Sequence, residues 1–330
     1  MAYSIIEDQA GMTENVKIGF VGCGRISKRH FEAIDATEGV EIGMICDVDE
    51  DRAHHAASRF NVPCVTDIAE IKNVDIIVIA TPSGHHPRHV IKAAENAEAK
   101  FIVCEKPVSL TVREAVEMYN FIRKYDKTLL PIYQNRYNPL IDFTRGLIQS
   151  GKLGTVYQIN VNVFWNRNDD YYQNNWHGSI DIDGGVLYTQ ASHYVDMLLF
   201  LFGPIKEAKG FGGRLRGFPT QDSVSASIIF QNGIVGSLNA TVCSYRKNYC
   251  TEATIIAEKG NIRLSGTNLN TIEYWDVENM DKPDIDFTID HIYGKGHDTM
   301  YKYIVQRKFD MFPRYEEVIA GISLMEKLSF

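Results

Sequence analysis

VKIGFVGCGRISKRHF, residues 16–31, joins an apolar run to a glycine turn and then to a helical pattern. Val16, Ile18, Phe20 and Val21 crowd together at the density of a buried strand, not of one helix face. Gly22-Cys23-Gly24-Arg25-Ile26-Ser27 then fits G-x-G-x-x-G, with serine in the third place. Gly22 permits the tight turn, and Gly24 lets main-chain amides approach a pyrophosphate at a helix N-terminus. A small side chain at Ser27 keeps the helix close to the strand. Cys23, Arg25 and Ile26 belong to the same candidate cofactor loop. The next apolar run, VEIGMIC (40–46), leads into Asp47, 23 residues after Gly24. An acid there accepts hydrogen bonds from an adenosine ribose and repels a 2′-phosphate. No arginine follows it directly, so the expected cofactor is NAD and not NADP.

The same alternation continues through the first half. VDIIVIA (74–80), FIVC (101–104) and LLPI (129–132) are strand-like, and SKRHFEAIDA, EDRAHHAASRF, HPRHVIKAAENA and TVREAVEMYNFIRKY carry helical spacing. Near-continuous apolar strands alternating with helices predict a doubly wound parallel sheet, a Rossmann domain over 16–137. Thr81-Pro82-Ser83-Gly84 and His86 close the fourth strand, where the carboxyl ends of parallel strands line a ligand crevice. Beyond NPLIDFTRGLIQSGKLG the pattern turns to alternating segments, VYQINVNVFW (156–165), DSVSASIIF (222–230), GIVGSLNATV (233–242), EATIIAEKGNIRLSG (252–266) and NTIEYW (270–275). Asn232-Gly233 signals a hairpin and Lys259-Gly260 a weaker one. The second domain, 138–330, is therefore expected to be α+β, with a large open, mostly antiparallel sheet, an apolar helix at 191–202 and another near the C-terminus.

Composition narrows the class. The 330 residues suit two domains, and 45% hydrophobic with 23% charged content is that of a globular chain. A net charge of −8 argues against a nucleic-acid or anionic-membrane surface, so an acidic ligand needs a local basic pocket. No apolar run approaches the roughly 18 to 20 residues of a membrane helix. Residues 1–15 lack the form of a secretory signal and read as a flexible extension. The six cysteines are dispersed, with no C-x-x-C pair, the usage of packing residues in a reducing compartment; a cytoplasmic location is expected. No histidine or acid cluster has metal-ligand spacing, so no metal is expected.

GCGRIS, ICD, ATPSGHH, CEKP and DGG…SHYVD, in this order and spacing, resemble the glucose–fructose oxidoreductase/inositol dehydrogenase (Gfo/Idh/MocA) family of NAD(P)-dependent sugar oxidoreductases. The resemblance spans about residues 16–330. It implies a nicotinamide between the two domains, Glu105 at the cofactor, and Lys106 between nicotinamide and substrate hydroxyl. It also makes His193 catalytic, with Thr189, His193 and Asp196 on one helix face. By unperturbed values, a histidine near 6.5 is an easier base at neutral pH than a lysine near 10.4. On that cost alone His193 takes the proton and Lys106 orients the hydroxyl. Many family members carry aspartate four residues before the histidine; here Thr189 and Gln190 stand instead, which leaves the division of labour open.

YQNRYNPLI (133–141) and WNRNDDYYQNNWHGSIDIDGG (165–185) resemble one branch of that family, the UDP-N-acetylglucosaminuronate 3-dehydrogenases of bacterial surface-polysaccharide synthesis. That branch often has arginine after the tryptophan, where this chain has His177. The resemblance implies Asn135, Trp176 and His177 at the cofactor. It implies Arg136, Asn166, Arg167, Tyr171, Tyr172, Thr189 and Gln190, with Lys106 and His193, around a nucleotide-linked sugar. It implies a homodimer or homotetramer joined through the C-terminal sheet. Oxidation of another sugar or cyclitol is the alternative, and a non-catalytic NAD-bound regulator is the second.

Overall fold

A computed structural model describes residues 15–96, 98–173, 176–284 and 295–329. All but the last residue of the 1–15 extension lies outside them. The first half runs β1 (Val16–Val21), α1 (Ser27–Asp35), β2 (Val40–Cys46), α2 (Glu50–Phe60), β3 (Cys64–Val65), β4 (Ile76–Ile79), α3 (His86–Ala94), β5 (Phe101–Cys104), α4 (Val112–Lys124) and β6 (Thr128–Pro131). Its six strands are parallel in the order β3-β2-β1-β4-β5-β6, the doubly wound arrangement that the alternation predicts. Successive side chains point to opposite faces, so β4 sends Ile77 and Ile79 into one core and Ile76 and Val78 into the other. Both faces are covered, which is why these strands contain almost nothing polar.

The second half adds α5 (Pro139–Gln149), β7 (Val156–Phe164), α6 (Asp169–Tyr172), α7 (Ser192–Phe202), β8 (Ile205–Gly213), β9 (Ser223–Phe230), β10 (Val235–Thr241), β11 (Cys250–Ala257), β12 (Gly260–Ser265), β13 (Thr271–Val277), α8 (Gly296–Val305) and α9 (Tyr315–Leu328). Its seven strands lie in the order β13-β12-β11-β7-β10-β9-β8, antiparallel except for the β7–β10 pair. Strict alternation of buried and exposed positions in β9 shows one covered face and one open face. On the open face Phe211 is 88% exposed, with Tyr157 and Tyr274 about half exposed.

The helix expected over 191–202 begins at Ser192 and is preceded by a π-helical turn, Leu187–Ala191. Helix α8 returns to the parallel sheet: Met300, Tyr301 and Ile304 pack into the same core as Ile18 and Phe20, and Asp298 pairs with Arg29 of α1 at 2.7 Å. This return brings residues from the far end of the chain beneath the carboxyl ends of β1 and β5. No helix among the described residues is long and apolar enough to cross a membrane.

Candidate active site

β1 delivers the chain into Gly22 at φ +97°, where a Cβ would lie 2.8 Å from the Ala80 main chain. Only glycine takes that position without strain. Gly24 is different. A Cβ there meets no atom within 4 Å, so its bareness leaves room for something outside the chain. Ser27 Oγ donates to Gly24 O at 2.7 Å and ties the turn to the start of α1. The first turn of α1 holds no acid and no side-chain cap, so the positive end of its dipole faces the loop without an internal anion. Asp47 is buried and accepts from the main-chain N–H of Cys23 at 2.7 Å and of Asp49 at 2.9 Å. Arg52 approaches Asp47 at 3.4 Å and Asp49 at 3.1 Å, so this cation is engaged by acids. An open cradle, an anion-free helix start and an acid one strand away fit the pyrophosphate and ribose of NAD.

The loop after β4 meets the second domain. Gly84 N donates to Ile182 O at 2.9 Å, and a Cβ on Gly84 would collide with the Asp181 main chain. Ser83 is buried, and Thr81 Oγ1 lies 2.9 Å from His89 Nδ1. His86 is buried with its two ring nitrogens each 2.7 Å from a carbonyl, those of Pro107 and Thr81. It thus joins the loop at Thr81-Pro82 to the turn that carries Lys106. The Lys106–Pro107 peptide is cis.

Lys106 Nζ donates to Thr189 O at 2.9 Å, across the domain boundary. Thr189 sits in the π-turn, a rare form that concentrates at functional sites. Its hydroxyl is turned back to Gly185 O at 2.9 Å, so it is the main-chain carbonyl of this residue, and not its side chain, that serves Lys106. His193 lies one turn further on, close enough that the Lys106 charge acts on its ring. Burial and that neighbouring ammonium hold His193 well below its ordinary value, so the ring is neutral. Gln134 Nε2 lies 3.1 Å from His193 Nε2, while His193 Nδ1 is buried without a partner among the described residues. Burial also lowers Lys106, opposed by the Glu105 charge and assisted by Arg167.

The wall opposite is aromatic and cationic. Tyr171 stacks on His177 at 3.8 Å, His177 lies 3.6 Å from Trp176, and the Arg25 guanidinium of the glycine loop stands over Tyr171 at 5.4 Å. Arg167 Nη2 donates to Gln190 Oε1 at 2.6 Å, and Gln190 Nε2 donates to the Tyr171 hydroxyl at 3.2 Å. Tyr172 stacks on Phe218, and Asn166 Nδ2 donates to Ser244 O at 2.5 Å. Asn135 bonds to the Tyr194 phenol.

Two residues have other duties than the sequence suggested. Arg136 was expected at the substrate, yet its side chain is 5% exposed and forks onto Asp196 at 2.6 and 2.8 Å, with Glu317 at 3.2 Å. Its donors are committed to an internal ion pair that fastens the 134–137 turn to α7 and α9. The Glu105 carboxylate turns inward, to His30, His297 and the Lys106 amide. Four further residues at the site were not singled out from the sequence: His30, Gln134 and Asp183, which lie inside the quoted motifs, and His297, which lies outside them. Asp183 is buried within electrostatic reach of Lys106, and its Oδ1 has no hydrogen-bond partner among the described residues.

Fold and site together define an NAD-dependent sugar dehydrogenase. Residues 16–133 match the oxidoreductase family model with an NAD-binding Rossmann fold, and residues 143–263 match the GFO/IDH/MocA C-terminal domain; the chain belongs to this family. The WlbA dehydrogenase of Bordetella pertussis, in complex with NADH and UDP-GlcNAcA, is 29% identical, with a TM-score of 0.89 over 97% of this chain and 96% of that one. The WlbA dehydrogenase of Chromobacterium violaceum, in complex with the same two ligands, is also 29% identical, with a TM-score of 0.86 over 96% and 94% of the two chains. The levoglucosan dehydrogenase of Pseudarthrobacter phenanthrenivorans is 25% identical over 87% of this chain and 80% of its own.

Proposed function

We propose that this protein oxidises the C3 hydroxyl of a nucleotide-linked uronic sugar, UDP-N-acetylglucosaminuronate or a close relative, in surface-polysaccharide synthesis. The observation that carries this reading is the second cation, Arg167, held by Gln190 within electrostatic reach of Lys106 in a chain whose net charge is −8. A carboxylate-bearing, diphosphate-linked substrate needs such a local reversal of sign. The likeness to two dehydrogenases that bind UDP-GlcNAcA supports the same choice.

NAD, when bound, supplies the hydride acceptor. The chain supplies the proton transfer. A general base works best when its titration lies near the working pH. Burial moves Lys106 down toward that range and His193 further away from it, which reverses the cost argument from unperturbed values. Lys106 therefore takes the hydroxyl proton. His193, neutral beside Lys106, helps to orient that hydroxyl. Thr189 O orients the lysine, and Tyr171, His177 and Trp176 shut water out of the cleft. The open face of the seven-stranded sheet, with Phe211 and Tyr274, serves a homodimer or homotetramer, and the cytoplasm is the working compartment.

The test is NADH formation, followed by absorbance, with UDP-N-acetylglucosaminuronate and with free sugars. Reduction with the nucleotide sugar alone is expected. Turnover confined to free sugars or cyclitols assigns a different substrate, and silence with every candidate removes the enzymatic reading.

A further inference from the structure

A buried polar cluster lies beside the lysine and contains two histidines that proton transfer does not use. Glu105 Oε1 stands 3.0 Å from His30 Nε2 and 3.1 Å from His297 Nε2, and Oε2 accepts the Lys106 main-chain N–H at 3.0 Å. His30 comes from α1, just past the glycine turn, and His297 from α8. Both side chains are fully buried.

The tautomers follow from the partners. Tyr301 Oη lies 2.7 Å from His30 Nδ1, and burial with the nearby Glu105 charge keeps the phenol protonated. Tyr301 thus donates to Nδ1, and His30 carries its own proton on Nε2, aimed at Glu105. His297 Nδ1 has no partner among the described residues. An orphaned buried N–H is rarer than an under-satisfied acceptor, so His297 also carries its proton on Nε2. Burial pushes His30 down to about 4, which keeps that ring neutral. Together the donors hold Glu105 well below the usual carboxylate range, against the effect of burial.

We propose that His30 and His297 are positioning residues of the active site: both donate from Nε2 to Glu105, keep it ionised beside Lys106, and so make Glu105 the fixed countercharge of that lysine. The proposal rests on Lys106 as the proton acceptor. Glu105 also faces His86 of α3 and His193 of α7, and burial lowers both of these rings. Lys106 further senses Arg167 and Asp183, but Glu105 is the largest of its charge neighbours. The same three atoms of His30, Glu105 and His297 lie within 4.8 Å of one another, the ligand set a divalent metal would take. A metal needs both Nε2 atoms bare, which would strand a buried Nδ1–H on His297 with nothing to accept it.

The test titrates Lys106 by NMR in the protein with carbon-13-labelled lysine, its signal assigned by absence in Lys106→Met. Glu105→Gln should move the Lys106 midpoint to lower pH. His297→Phe should move it the same way, and His297→Gln, whose amide can still donate, should leave it near wild type. An unchanged or raised midpoint in Glu105→Gln overturns the proposal, as does a stoichiometric divalent metal in the purified protein that His297→Phe loses. Glu105→Gln is close to isosteric and tests the countercharge even if His297→Phe fails to fold; a folded His297→Phe with a wild-type Lys106 midpoint overturns the role of that histidine. The titration needs no turnover, so a wrong substrate assignment leaves it untouched.

Discussion

One added methyl group separates what the glycine loop does for the fold from what it does for the cofactor. In Gly24→Ala the new Cβ meets nothing within 4 Å, and the backbone is not left-handed there. The variant should keep its thermal stability or gain slightly, by about 0.4–1 kcal/mol, because the unfolded chain loses freedom. NAD should bind less well. The methyl projects into the space that the bare backbone keeps open for pyrophosphate and holds it off the amides. Losing one hydrogen bond to a charged group costs about 1.5–3 kcal/mol, which raises Kd about 10- to 150-fold. Gly22→Ala is the contrast. Its φ of +97° costs an L-residue about 1–3 kcal/mol, and its Cβ presses on the Ala80 main chain at 2.8 Å. It should melt at lower temperature before any ligand is added. Thermal unfolding without ligand and a fluorescence titration with NADH read both effects. Wild-type affinity in Gly24→Ala, or a loss of stability as large as that of Gly22→Ala, would refute this reasoning.

Lys106→Met should lower kcat by about 10²- to 10⁴-fold, the contribution of a positioned proton acceptor; wild-type turnover removes Lys106 from the chemistry. In the parent enzyme kcat should rise with pH as the Lys106 ammonium, lowered by burial, gives up its proton, and an opposite slope would count against that role. Arg136→Met leaves Asp196 buried without its partner and should cost about 3–5 kcal/mol of stability. Adding Asp196→Leu should restore most of it, whereas raised KM at unchanged Tm would return Arg136 to the substrate. Acid should weaken the fold between about pH 6.5 and 4, where the unfolded chain binds a proton that buried His30 refuses. The two limits set a loss of about 3 kcal/mol, and urea midpoints that stay flat across that window would contradict it.

The parallel strands were legible because burial on both faces leaves them nearly free of polar residues. β8 was not: Lys206, Glu207, Lys209 and three glycines hide an edge strand that packs through Ala208. Lys106 and His193 were legible because short motifs fix them at a strand end and a helix start. Partners far along the chain were not, since Asp196 is 60 positions from Arg136 and His297 is 192 from Glu105. Nothing local marks an arginine as internally paired or a histidine as a donor to a distant carboxylate. The division of labour between them was not legible for a related reason: unperturbed values favour histidine, and burial, which lowers both groups, is a property of the packed site.

Substrate deuterated at C3 gives the most direct measurement. UDP-N-acetylglucosaminuronate carrying deuterium at that carbon is incubated with NAD and the protein, and the reduced cofactor is examined by mass spectrometry. The label should appear on the nicotinamide, with its rate of transfer lowered about 10²- to 10⁴-fold in Lys106→Met. Unlabelled NADH from the labelled sugar, or full transfer without Lys106, would contradict the account.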